Sequence, residues 1–155
     1  LAENNDIQIK LFPVTDDSHP TLIITENNEL EFQEYFVRRK TEEHVKDILF
    51  PNANFSTPAP GVLNAIKNAD FIIFAPSNPF VSIDPILAVP QIREHIIASS
   101  AQKIAISPIV GGQAIKGPAA KMMKSMGHSV SPYPDVSQPK IKQEDYVLNV
   151  VWSLF

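Results

Sequence analysis

The chain of 155 residues contains no cysteine, which excludes disulfide bonds and thiolate metal sites within it. No apolar run approaches the roughly 18 residues that a membrane-spanning helix requires. The first residues lack the basic start and apolar core of a signal peptide, and an initiator methionine is also missing. These absences predict a cytoplasmic protein without a membrane segment, present here as part of a longer chain.

Positive charge is also scarce, because 13 lysines and arginines face 17 aspartates and glutamates, for a net charge of −4. This balance argues against a general nucleic-acid or membrane-surface binder. Hydrophobic residues make up 44% of the chain, enough for the packed core of one domain. An anionic ligand would therefore depend on local backbone N–H groups and a few cations.

The order of apolar segments and helical patterns predicts an α/β fold, a Rossmann-like parallel sheet layer with a β-hairpin insertion. Residues 71–74 and 103–106 are short apolar runs typical of parallel strands, and the first is expected to be buried on both faces. Apolar spacing and Pro or Gly boundaries predict the helices. They span residues 61–68, residues 85–99 in two pieces broken at Pro90, and residues 118–126 before Gly127.

The first third of the chain supplies the predicted insertion. Residues 21–25 and 30–37 flank an Asn-Asn pair, a pattern typical of a β-hairpin. Thr41, with acidic residues after it, is predicted to cap a helix over residues 41–49. Residues 7–13 are predicted to form a short strand.

Small polar residues follow the strand at residues 71–74 and precede the next helix. Ser77, Asn78 and Ser82 lie in this proline-rich corner, where backbone N–H groups and hydroxyls suit a phosphate. The alternative is an ordinary connection in which these side chains cap the backbone. Both interpretations stay open at this point.

A second corner follows residues 103–106 in the same way. Ser107 begins it, Gly111 and Gly112 permit close backbone approach, and Lys116 stands just before the next helix. A cation at a helix start is electrostatically misplaced unless an anion is there too, although a solvated lysine is the simple alternative. Two such corners suggest a phosphorylated or nucleotide ligand at the carboxyl edge of a parallel sheet.

Charged pairs outside the corners are further candidates. Arg38 and Arg39 can grip a phosphate or carboxylate, or can simply be a solvated charge run. Asp16 and Asp17 can hold Mg²⁺ together with phosphate oxygens, although adjacent aspartates are more often turn formers.

Several consecutive segments resemble the 2-phospho-L-lactate transferase family of deazaflavin coenzyme biosynthesis. The resemblance runs in order from about residue 11 to residue 130. Its segments are 32–39 (FQEYFVRR), 58–63 (PAPGVL), 76–83 (PSNPFVSI), 85–93 (PILAVPQIR), 107–112 (SPIVGG) and 116–123 (KGPAAKMM).

The resemblance implies a transfer reaction. A guanylylated phospho-acid gives its phospholactyl or enolpyruvyl phosphate part to the ribityl hydroxyl of the deazaflavin precursor, GMP leaves, and Mg²⁺ assists. Ser77, Asn78 and Ser82 would then line the diphosphate. The other anionic end would be held by Ser107, Gly111, Gly112 and Lys116, with charge neutralised by Arg38 or Arg39. The resemblance also implies a homodimer when the protein is complete.

Two regions depart from the family pattern. The family begins with a glycine-rich turn and acidic residues that do not precede residue 1, and the match ends near residue 131. We therefore expect a partial transferase domain over residues 1–131, a divergent tail over residues 132–155, and weak or absent turnover by the chain alone. A different class stays open: a non-enzymatic regulator of the same superfamily that binds nucleotide-sugars.

Overall fold

The computed structural model describes residues 10–130. Within them, no helix is long and apolar enough to cross a membrane. Predictions for residues 7–9 and for the tail lie outside the described residues, and Lys10 to Pro13 form no strand. The strands are β1 Leu22–Thr25, β2 Glu29–Glu31, β3 Val45–Leu49, β4 Phe71–Phe74, β5 Gln102–Ala105, β6 Ile109–Val110 and β7 Gln113–Ala114. The α-helices are α1 Val62–Lys67, α2 Asp84–Leu87, α3 Ile92–Ala98 and α4 Ala119–Ser125.

An antiparallel sheet forms the predicted insertion, with β1 between β2 and β3. The β1–β2 hairpin confirms the expected turn, since Ile24 pairs with Glu29 across it. Alternation holds here: Leu30 is buried between two exposed glutamates, and Ile23 of β1 is fully buried. The buried apolar side chains of the hairpin, Ile23 and Leu30, are cross-strand partners and thus lie on one face.

The second arm of the hairpin is shorter than predicted. Its strand ends at Glu31, and the chain then winds into a π-helical turn, Glu34–Arg38. This winding stacks the rings of Phe32 and Phe36, whose centroids lie 4.4 Å apart. It also buries Tyr35 completely. Aromatic packing therefore overrides the alternating pattern that predicted a strand over residues 30–37.

The predicted helix over residues 41–49 is wrong. Its second half is strand β3, which pairs antiparallel with β1. Thr41 has a φ of +58° and caps no helix. Val45 is buried in the core. Pairing with the open edge of β1 thus outweighs a local capping pattern, because it satisfies backbone groups of both strands.

The parallel pair β4–β5 confirms the predicted α/β layer, with Phe71 beside Gln102 and Phe74 beside Ala105. The two-piece helix is also confirmed, since α2 and α3 are separated around Pro90. Burial of β4 on both faces is wrong, because Phe71 and Ile73 are 57% and 60% exposed. Only the alternate residues of β4 pack on the helices.

Two hydrophobic clusters meet at a second π-helical turn, Pro79–Ile83. Phe80 and Val81 of this turn pack on a cluster shared by the antiparallel sheet and α4. Ile83 packs on the cluster of helices α2 and α3 with β4. The first predicted corner therefore lies where the two cores join.

Gly111 and Gly112 form the two-residue turn of a β6–β7 hairpin. Ile109 pairs with Ala114, and the glycines have φ values of +58° and +75°. Positive φ at both central positions defines a type I′ turn, for which Gly-Gly is a preferred sequence. The turn needs glycine whether or not a ligand approaches it.

Substituting Gly112 with valine is expected to destabilise the chain by about 1–2 kcal/mol through backbone strain alone. No heavy atom lies within 4 Å of a Cβ at this position, so a steric clash contributes nothing. Urea unfolding of Gly112→Val and Gly112→Asn gives the measurement. Because asparagine tolerates positive φ, an equal loss in both variants would contradict the argument.

Candidate functional site

Both predicted corners leave the same edge of the parallel sheet. Strands β4 and β5 run side by side in register, and the backbone N–H of Ile106 donates to the carbonyl of Phe74 at 3.0 Å. The loops carrying Ser77 and Ser107 therefore start from adjacent strand ends. This is the edge at which open α/β sheets bind ligands.

Asn78 is the most firmly held side chain of the first corner. Its Oδ1 accepts from the N–H of Phe80 at 3.0 Å, which caps the second π-helical turn. Its Nδ2 donates to the Sδ of Met122 at 3.2 Å, and Met122 is fully buried. The amide is therefore fixed on both sides while one of its two N–H bonds remains to donate.

Ser77 and Ser82 flank Asn78 and are half-buried. Within the described residues, neither hydroxyl has a hydrogen-bond partner, although the N–H of Ser82 donates to the carbonyl of Asn78 at 3.0 Å. Hydroxyls placed this way are able to donate to a ligand oxygen. Their phosphate-binding role remains a prediction.

The second corner combines a structural turn with a free cation. The hydroxyl of Ser107 accepts from the N–H of Ile109 at 3.1 Å, which bends the chain into β6. Lys116 is exposed, and within residues 10–130 its amine has no ion-pair partner. Ligand binding by Ser107, the two glycines and Lys116 remains a prediction.

Arg38 and Arg39 are already engaged by carboxylates. Glu34 accepts from Arg38 Nη1 at 3.0 Å and from Arg39 Nε at 3.1 Å. Arg39 Nη1 also lies 3.4 Å from an oxygen of Glu43. The bond from Arg39, followed by that from Arg38, holds the pKa of Glu34 below its usual value. A phosphate at these arginines would have to share them with the two glutamates.

Helix α4 connects the turn after Arg38 and Arg39 to the first corner through two consecutive residues. Lys121 Nζ donates to the carbonyls of Thr41 and Glu42, while Met122 contacts Asn78. Neither Lys121 nor Met122 was a candidate from the sequence. The regular apolar spacing of this helix indicates that Met122 is a core residue, but no local pattern names its partner Asn78.

Asp16 and Asp17 differ in how far they are engaged. Asp17 Oδ2 accepts from the N–H and the hydroxyl of Thr57 at 2.8 and 3.0 Å. The bond from the N–H is the main cause of the lowered pKa of Asp17. Asp16 is exposed. Residues 10–130 contain no group of three or more His, Asp or Glu side chains placed to hold a metal. Mg²⁺ binding by these two aspartates together with phosphate oxygens remains a prediction.

Glu43 stabilises the hairpin end from the neighbouring turn. Its Oε2 accepts from Asn28 Nδ2 at 3.0 Å and from the hydroxyl of Thr25 at 2.9 Å. The bond from Asn28, with smaller contributions from Thr25 and Arg39, lowers the pKa of Glu43 from its usual 4.5. The ionised carboxylate is thus favoured by folding.

The stability advantage of the native chain over Glu43→Gln should therefore depend on pH. A lowered folded-state pKa contributes its full stabilisation above the unfolded value of 4.5 and loses it as pH falls through the folded value. Urea midpoints measured from neutral pH to about pH 3 should show the difference shrinking on acidification. Glu42→Gln is the matched control, and a difference that grows in acid would refute the assignment.

The comparisons with known proteins converge on one family. The family model "2-phospho-L-lactate transferase CofD" matches residues 1–150. A 2-phospho-L-lactate transferase of Methanocaldococcus jannaschii is 38% identical over 129 residues, which cover 81% of this chain and 41% of that protein. A phosphoenolpyruvate transferase of Kitasatospora aureofaciens is 43% identical over 123 residues, covering 77% of this chain and 38% of that protein.

The fold is found in solved structures as well. A UPF0052-family protein from Bacillus halodurans superposes with a TM-score of 0.56 at 24% identity, covering 68% of this chain and 33% of that one. This likeness supports the α/β fold alone. The chain spans about two fifths of the length of the curated transferases it matches, 41% for the first of them. The extent and identity of these matches confirm the resemblance seen in the sequence: the chain belongs to the CofD family of 2-phospho-L-lactate transferases.

Proposed function

We propose that the chain contributes the phosphate-binding part of a phospho-acid transferase in deazaflavin coenzyme biosynthesis. Relatives named transferases supply the reaction class. The observation that carries the proposal is the meeting of both corners at one sheet edge, with Asn78 fixed there by Phe80 and Met122. Preorganised donors at such a position suit developing phosphate charge.

The proposed reaction moves a 2-phospho-acid from its guanylyl diphosphate to the deazaflavin precursor. The ribityl hydroxyl oxygen attacks the phosphorus of the phospholactyl or enolpyruvyl phosphate group. A new P–O bond forms, the bridging P–O bond breaks, GMP departs with its electron pair, and the hydroxyl proton is released. Reactions of this class depend on positioning and charge neutralisation rather than on a covalent nucleophile.

The corner residues would divide the diphosphate between them. Ser77, Asn78 and Ser82 would donate to one phosphate. The second anionic end would be held by Ser107, Gly111, Gly112 and Lys116. Arg38 and Arg39 would contribute positive charge nearby, within the limit set by their ion pairs with Glu34 and Glu43.

The proposal of Mg²⁺ rests mainly on the diphosphate of the donor substrate and less on Asp16 and Asp17. Proteins usually bind this ion through one or two carboxylates together with substrate phosphates. One oxygen of Asp17 is already taken by Thr57, so the ion would depend mainly on the diphosphate. A homodimer and a cytoplasmic location remain predictions.

Ligand choice tests the proposal. Titrating the 155-residue chain with GDP, the deazaflavin precursor and a UDP-sugar in thermal-shift experiments separates the two classes. We expect GDP with the precursor to raise the melting temperature. A shift with UDP-sugars alone would favour the nucleotide-sugar-binding regulator and overturn the transferase.

Turnover is tested in a hybrid enzyme. In it, the segment of the Methanocaldococcus jannaschii protein that matches this chain is replaced by the corresponding residues of this chain. We expect the hybrid to release GMP, whereas the chain alone should show weak or absent turnover. An inactive but folded hybrid would contradict the proposal.

A further inference from the structure

The turn over residues 38–42 follows the first π-helical turn and has an unusual backbone. Lys40 and Thr41 have φ values of +49° and +58°, although neither is glycine. Left-handed conformations of such residues persist only where surrounding contacts hold them. One backbone hydrogen bond lies within the turn, from the N–H of Glu42 to the carbonyl of Arg39 at 3.0 Å, and further contacts hold it from outside.

Those contacts come mainly from one lysine and one tyrosine. Lys121 Nζ donates to the carbonyls of Thr41 and, at 3.1 Å, of Glu42. The hydroxyl of buried Tyr35 donates to the carbonyl of Glu43 at 3.1 Å, and the N–H of Thr41 donates to the carbonyl of Tyr35 at 3.0 Å. Lys121 thus reaches from α4 across to the carbonyls of this turn.

The three cations of the turn differ in whether a carboxylate pairs with them. Arg38 and Arg39 are paired with Glu34 and Glu43. Lys40 is exposed, and no ion pair or hydrogen bond of its side chain is found among residues 10–130. Lys40 is therefore the cation that this turn leaves available to an anion, although the sequence drew attention to the two arginines.

We propose that Lys40 binds a phosphate of the diphosphate substrate. Lys121 is then a positioning residue, which holds in place the turn that carries Lys40. This proposal rests on the diphosphate donor of the proposed function. Helix α4 links the turn to the first corner, since Met122, the residue after Lys121, holds Asn78. One short helix thus holds both the side chain of Asn78 and the backbone of the turn that carries Lys40.

A double-mutant cycle with inorganic pyrophosphate as the probe tests this on the full 155-residue chain. Isothermal titration should show Lys40→Met and Lys121→Met each weakening pyrophosphate binding about fivefold. The double variant should be no weaker than either single one, within about twofold, because Lys121 acts through Lys40. Lys121→Arg should recover most of the affinity, and Lys124→Met, on the same helix, should lose none.

Limited trypsin digestion supplies an independent readout of the turn itself. Lys121→Met should accelerate cleavage after residues 38–40, and Lys121→Arg should reverse this. Faster cleavage of Lys121→Met with unchanged pyrophosphate affinity would show that Lys121 is only structural and would overturn the proposal. The proposal would also be overturned if the double variant lost affinity by the product of the two single losses, or if the native chain did not bind pyrophosphate. Failure of GDP to bind while the cycle behaves as expected would overturn the proposed function alone.

Discussion

Asn78→Ala is expected to lower kcat/KM of the hybrid enzyme by a factor of about 30 to 1,000. This corresponds to the roughly 2–4 kcal/mol that one preorganised donor to a transferring group supplies. The structure explains why one amide has this weight. Asn78 is held by Phe80 and Met122, so its remaining N–H is directed without loss of side-chain entropy on binding. Steady-state kinetics of GMP release gives the measurement.

One further variant, Asn78→Asp, separates the donor from the cap. Asn78→Asp keeps an oxygen for the N–H of Phe80 but removes the amide donor, whereas alanine removes both. Loss of the cap alone should lower the free energy of unfolding by about 1 kcal/mol. Asn54→Ala is the control, because Asn54 is exposed and its side chain has no hydrogen bond in the described part of the chain. Unchanged kcat/KM in a destabilised Asn78→Ala would leave Asn78 a structural cap.

Met122→Ala is expected to lower the free energy of unfolding by about 2–5 kcal/mol. Met122 is 0% exposed and packs with Ile23, Tyr35 and Val45 in the core between α4 and the antiparallel sheet. A loss of this size is a large share of the roughly 5–15 kcal/mol by which a domain is stable. Urea unfolding of the native chain and the variant measures it.

Met122→Leu isolates the role of the sulfur. It conserves volume and should lower stability by less than about 1.5 kcal/mol, yet it removes the acceptor of the Asn78 amide. We therefore expect Met122→Leu to reduce kcat/KM of the hybrid even under conditions in which the variant is fully folded. Ile115→Ala, at a 69% exposed side chain, is the control. Equal destabilisation by alanine and leucine would contradict the packing argument.

Local patterns predicted the parallel layer well. Strand β4, strand β5 and the helices around them follow from short apolar runs, proline positions and helical spacing, which are properties of neighbouring residues. Gly127, at φ +78°, ends α4 as expected. The two polar corners could be placed at one sheet edge because parallel strands carry their ends to the same side.

In the first third of the described chain the same patterns predicted the β1–β2 turn but failed in two segments. Residues 45–49 carry a plausible helix start upstream but form β3, because β1 offers an open edge. Residues 34–38 wind into a π-helical turn because Tyr35 finds a buried site among Ile23, Val45 and Met122. Both outcomes depend on neighbours that are close in space rather than close in the sequence.

The amino-acid sequence by itself determined the family, the α/β class and the two corners, since these depend on residue order and local periodicity. Only the tertiary structure decided how the corners are supported. It joined Asn78 to Met122 and Thr41 to Lys121, pairs 44 and 80 residues apart. It also neutralised Arg39 with Glu34 and Glu43, leaving Lys40 without a partner in the described part of the chain. Such pairings form only when packing brings distant segments together, and no local pattern encodes them.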